Sequence, residues 1–82
     1  MTDKVTDFDF ELGARIRKRR AELNKSSDEI GALVGLSGQM VRRYEAGGAQ
    51  ITAAKLHEFA HALDVSPAWI FGEWKKPKGK RK

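Results

Sequence analysis

Apolar residues recur at helical spacing along the middle of the chain, and the breaks between runs fall on residues that start or stop helices. From near Phe10, Leu12, Ile16 and Leu23 lie near one face with basic residues between them. Asn24 marks the end of this first helix, because asparagine tolerates the left-handed conformation in which helices often finish. Ser26 precedes a second stripe of Ile30, Leu33 and Val34. Glu29 stands three residues after it, the spacing of a capping box in which serine and glutamate each satisfy the other's backbone amide. Gly35 stops that helix, and Ser37 caps a third, "GQMVRRYE", whose apolar positions are Val41 and Tyr44. Gly47 and Gly48 end it. Thr52 caps a fourth helix with Leu56, Phe59, Ala60 and Leu63 inward, and Ser66, Pro67 and Gly72 frame a fifth. No segment alternates as a strand does. The pattern predicts an all-α bundle of five short helices within residues 10–74. A flexible acidic lead-in at 1–9 precedes it, and a basic disordered tail at 75–82 follows.

Composition narrows this picture. Eighty-two residues make one domain with a thin core, and the absence of cysteine leaves packing alone to hold it, which suits the cytoplasm. The opening "MTDKVTDFDF" is acidic and lacks the apolar stretch of a signal peptide, and no run is long enough to span a bilayer, so no membrane association is expected. The net charge of +5 is unevenly placed. Residues 12–56 carry nine bases against four acids, and the last eight residues carry six more bases, while both flanks of the middle segment are acidic. Positive charge concentrated in one segment and one tail is the footprint of a polyanion-binding protein. The tail itself fits three readings: non-specific DNA affinity by counterion release, a solubilising end, or an appended remnant.

The second and third helices, joined by a short glycine-containing turn, form a helix-turn-helix at about residues 27–45. Counted from Ser27, apolar residues fall at the fourth (Ile30), eighth (Val34), tenth (Leu36), fifteenth (Val41) and eighteenth (Tyr44) positions. Gly31 at the fifth lets two helices approach, and Gly35 at the ninth relieves the turn. With "LGARIRKRRAEL" before and "LHEFAHALDVSPAWIFG" after, the chain over about residues 10–72 resembles the XRE family of Cro and repressor-type regulators of phages and bacteria. The resemblance implies a lambda-repressor-like fold and a sequence-specific double-stranded DNA-binding transcription regulator. A recognition helix lies in the major groove with its N-terminal residues toward base edges. Gln39 and Arg43, four apart on the third helix, suit adenine and guanine respectively, and Arg42 beside them is also expected to contact bases. Met40 suits either a thymine methyl or a protein contact. By resemblance Gly38 occupies a base-reading position, where only its backbone could approach.

Phosphate contacts are expected from the start of the second helix, where free amides and the helix dipole favour an anion. Ser27 stands there in place of the family's usual glutamine. Ser37, Lys25, the amides of Gly48 and Gln50 in "GGAQ" and the Thr52 hydroxyl complete the expected phosphate set, with one or two members of the basic run Arg15 to Arg20 added. By resemblance Arg20 pairs with Glu45 as a structural tie between the first and third helices. Phe71 and Trp74 exceed what so small a core can hide, so one or both are expected at a homodimer contact, at least on a partly palindromic DNA site.

One motif points elsewhere. "HEFAH" at 57–61 matches H-E-x-x-H, which on a helix sets two imidazoles for zinc and a glutamate as base. The chain has no third histidine and no cysteine to complete the site, so neither a metal, a cofactor nor an enzyme is expected. The leading expectation is a repressor acting by operator occupancy. The alternative is a protein-binding antagonist, of antiactivator or antitoxin type, that masks a partner protein with the same fold.

Overall fold

Five helices follow one another through residues 7–71, the part of the chain that the computed structural model describes. They are α1 (Asp7–Glu22), α2 (Ser27–Val34), α3 (Gly38–Glu45), α4 (Ala53–Ala62) and α5 (Pro67–Phe71), and no strand occurs among the described residues. The caps lie where the sequence places them. Ser26 Oγ accepts the Glu29 amide at 3.0 Å while the Ser26 amide donates to Glu29 Oε1 at 2.7 Å, closing the capping box. Ser37 accepts from the Met40 amide, Thr52 from the Lys55 amide and Ser66 from the Trp69 amide. Asn24 after α1 has φ +57°, as expected; Asp64 after α4 has φ +60° without a sequence signal that marked it.

Two expectations need correction. The first helix begins at Asp7, so residues 7–9 are helical and not part of a flexible lead-in. Asp7 and Asp9 sit in its first turn, where the helix dipole favours negative charge. Asp9 is buried and accepts the Ile51 amide at 3.0 Å, which ties this turn to the loop before α4. Leu33 does not join the apolar stripe of α2; it is 62% exposed. The buried positions of α2 are Ser27, Ile30, Gly31 and Val34, and one residue step turns Leu33 about 100° away from Val34. Residues 1–6, the tail at 75–82 and Trp74 lie outside the described residues, as does the side chain of Phe71.

Every helix sends at least one side chain to a common core. Ile16, Ile30, Val41, Phe59, Leu63 and Ile70 are fully buried, and the Tyr44 ring meets Phe59 edge-on with centroids 5.6 Å apart. Trp69 packs half-buried against this cluster. Basic side chains also stitch the helices together by their unpaired ends: Lys55 Nζ donates to the Val34 carbonyl at 3.1 Å at the end of α2, and Arg19 Nε to the Leu63 carbonyl at 3.0 Å after α4. Among the described residues, no helix is long and apolar enough to cross a membrane.

The approach of α1 to α3 depends on Gly13. A Cβ there would collide with the Tyr44 carbonyl oxygen and lie 2.8 Å from that of Glu45. Gly13→Ala gains helix propensity of up to about 1 kcal/mol but overpacks against backbone that cannot rotate away. The expected result is a net loss of about 1–2 kcal/mol in chemical denaturation.

Candidate nucleic-acid interface

The turn between α2 and α3 sets the pose of everything that follows. Gly35 adopts φ +72°, and both its amide and that of Leu36 donate to the Gly31 carbonyl, so the chain reverses within two residues. Gly31 lies so close to the Leu36 carbonyl that any side chain would collide with it. Gly38 is buried at the start of α3, and its missing side chain would strike the Asp28 carboxylate. The direction a side chain would take at Gly38 faces α2 and not solvent, so only its backbone is turned outward. The capping box holds the same end of α2. The Ser26 amide hydrogen bond keeps the Glu29 carboxyl below its ordinary value, so this cap is intact at neutral pH and is lost as pH falls through that lowered value.

The exposed face of α3 carries Gln39 and Arg43, with Met40 between them. Met40 is half-buried and packs against the core on its inner side. Arg43 Nε donates to the Gly48 carbonyl at 3.1 Å, and the Gly48 amide donates back to the Arg43 carbonyl at 2.9 Å. The terminal nitrogens of Arg43 therefore extend from an anchored stem. Ser37, Gln39, Met40 and Arg43 enclose an open depression of about 270 Å³.

Arg42 turns toward α2. Its Nη1 donates to Ser27 Oγ at 2.9 Å, and Ser27 itself is buried. The Ser27 side chain is thus an anchor for Arg42 and is not exposed. Ser37 and Thr52 are exposed. Each accepts a capping bond through its oxygen and keeps its own O–H to donate outward. Lys25, Gly48 and Gln50 are exposed as well. Arg17, Arg20 and Arg42 line, with Glu45 and Ala46, a cleft of about 240 Å³. Sequence spacing placed Arg17 in an undivided basic run; only the packing of α1 on α3 selects it.

The expected Arg20–Glu45 tie is present and bidentate. Arg20 Nε lies 2.6 Å from Glu45 Oε2, and Nη2 lies 3.0 Å from Oε1. Its Nη1 donates to the Lys25 carbonyl at 2.9 Å, so one guanidinium joins α1, the α1–α2 loop and the end of α3. The Glu45 hydrogen bond holds Arg20 more firmly protonated than usual, against the opposing effect of its burial. His57 and His61 are both exposed on α4, and no three metal-ligating side chains converge among the described residues.

Comparison with known proteins places this geometry. The helix-turn-helix family matches residues 16–70. An uncharacterized HTH-type transcriptional regulator, y4aM of Sinorhizobium fredii, is 35% identical over 68 residues, covering 83% of this chain and 48% of that protein. The chain spans about half the length of the curated relatives it matches first. Among solved structures, the restriction-modification controller protein C.AhdI from Aeromonas hydrophila superposes with a TM-score of 0.75 at 26% identity, covering 80% of this chain and 100% of that one. The P22 c2 repressor in complex with a synthetic operator gives 0.70 at 28% identity, covering 76% and 96%.

The ion pair makes a direct stability test. Glu45 keeps only 4% of its side chain exposed, so removing its partner leaves a buried carboxylate uncompensated. Arg20→Ala is expected to cost about 2–4 kcal/mol in urea denaturation, and the double change with Glu45→Gln to recover part of that loss.

Proposed function

We propose that this chain, which belongs to the XRE-type helix-turn-helix family and is a DNA-binding transcription regulator, acts as a repressor by occupying a partly palindromic double-stranded operator. The observation that carries this reading is the exposed face of α3, where Gln39 and an anchored Arg43 stand four residues apart beside a shallow depression. In the major groove that face presents an amide suited to adenine and a guanidinium suited to guanine. Each good bidentate pair supplies roughly 1–3 kcal/mol of discrimination.

Phosphates supply most of the remaining affinity. The amides at the start of α2, the Ser37 and Thr52 hydroxyls, Lys25, and the Gly48–Gln50 segment are assigned to this task. Arg42 joins them: its bond to Ser27 directs it to the flank of α3, toward the backbone of the duplex and away from base edges. The three-arginine cleft adds Arg17 to the same set. Two copies binding half-sites one helical turn apart would match a palindromic site. Blocking polymerase needs nothing beyond occupancy, so the protein works by binding, without catalysis or cofactor, on bacterial or phage DNA in the cytoplasm. The P22 c2 repressor, of similar fold and solved on an operator, supports this mode.

A second reading has one specific observation in its favour. Phe10, 60% exposed, joins Ala14, Ala21 and Ala46 along an open groove of about 630 Å³ beside α1, a surface that suits a protein partner. An antagonist that masks a partner would use it, with or without DNA.

Selection of bound sequences from a random duplex library tests the leading reading. The expected product is a partly palindromic site bound at nanomolar concentration, with affinity falling several hundred-fold or more between about 50 and about 200 mM salt. Arg43→Ala should weaken binding about tenfold to a hundredfold and relax selection at one guanine per half-site, whereas Arg17→Ala should weaken all duplexes alike and lower the salt slope. Affinity that is flat across sequence and salt would reject the regulator reading in favour of the protein-binding one.

A further inference from the structure

Met40 is the one residue on the exposed face of α3 whose chemistry neither a base edge nor a phosphate explains by hydrogen bonding. It is also among the best held. Its amide donates to Ser37 Oγ at 3.0 Å, and its side chain rests against the core while its remaining surface forms part of the depression between Gln39 and Arg43. It lies three positions before Arg43, so the two share a face of the helix. Arg43 cannot swing freely over that depression, because its Nε is fixed on the Gly48 carbonyl. That anchor spends the side edge of the guanidinium and leaves the two terminal nitrogens, which match the N7 and O6 acceptors of a guanine end-on. A thioether beside an end-on guanidinium sets an apolar patch next to the place a guanine would occupy.

We propose that the Met40 depression takes the C5-methyl group of the pyrimidine adjacent to the guanine read by Arg43, so that operator affinity rises with cytosine C5-methylation at that step. The inference rests on the base reading proposed above for α3. In the major groove the group at pyrimidine C5 is a methyl in thymine and in 5-methylcytosine, and a hydrogen in cytosine and uracil. A methyl group transferred from water onto an apolar surface contributes enough for about a fourfold change in affinity. The methyl contributes on either base, because its contact does not involve the hydrogen-bonding atoms that distinguish thymine from cytosine. A regulator so equipped would distinguish methylated from unmethylated copies of one operator.

The test uses the whole chain and the site obtained by selection. Each thymine of a half-site is replaced singly by deoxyuridine, and the pyrimidine beside the Arg43-dependent guanine is also set to cytosine and to 5-methylcytosine. Binding is read by fluorescence anisotropy. The expected result is one position where loss of the methyl weakens binding about fourfold, with the same ratio between 5-methylcytosine and cytosine. Met40→Ala should bring both ratios to near one while the guanine preference persists, and Met40→Leu should keep them. The nucleotide substitutions leave the protein intact, so the outcome does not depend on either variant folding. Affinity independent of the methyl at every position, with the guanine preference intact, overturns this inference and leaves the base reading standing. Arg43→Ala leaving all base preferences unchanged overturns the base reading and this inference with it.

Discussion

A helix of eight residues such as α3 does not hold its own shape in water, since nucleation costs more than two turns of hydrogen bonds return. Its pose is therefore imposed from outside, by the contact of its C-terminal end with α1. There Glu45 is buried on Arg20, and the carbonyls of Tyr44 and Glu45 rest against Gly13. Val41 and Tyr44 add apolar anchorage from the inner face. At the other end, Gly38 sits against Asp28 and fixes the separation of α3 from α2. With both ends clamped, the outer face is presented as a nearly rigid surface. Preorganisation of that kind lowers the ordering cost of binding.

The arginines and lysines of this chain divide by what they are attached to, not by where they fall in sequence. Arg19, Arg20 and Lys55 each donate to a carbonyl that ends a helix or forms a loop, so part of the positive charge is a structural fastening. Arg42 and Arg43 are also anchored, but each by a single nitrogen, leaving the other donors of the guanidinium outward. A guanidinium carries five donors in a fixed fork, so one nitrogen can hold the anchor while the others keep a set direction.

Local signals made most of the helices legible. Capping serines, the αL asparagine and the glycine turn are written within a few residues, and each lies where those rules place it. What failed was whatever depended on a distant neighbour. Asp7 to Asp9 read as lead-in because the reason they are helical, the bond from Asp9 to the Ile51 amide, spans 42 positions. Leu33 read as core because an eight-residue helix offers too few turns for its true inner face to be fixed by apolar spacing. The helix-end rule turns Ser27 outward to an anion, and the burial of Ser27 and Gly38 follows from the closeness of α2 to α3, which no spacing records.

The same distinction explains the division between framework and contact surface. The framework residues resemble the family because the packing of α2 on α3 tolerates few alternatives: a Cβ on Gly31 would strike the Leu36 backbone, and one on Gly38 would displace the Asp28 side chain. The contact surface is under no such packing constraint, and at position 38 the fold leaves no outward side chain. On the base reading proposed for α3, Gln39, Met40 and Arg43 are the side chains left to face bases. Arg43 in turn depends on the loop beyond the helix, because the carbonyl that holds it belongs to Gly48, and a Cβ at that position would lie 3.2 Å from the Arg43 stem. The post-helical loop, not the helix alone, thus sets the direction of the guanidinium.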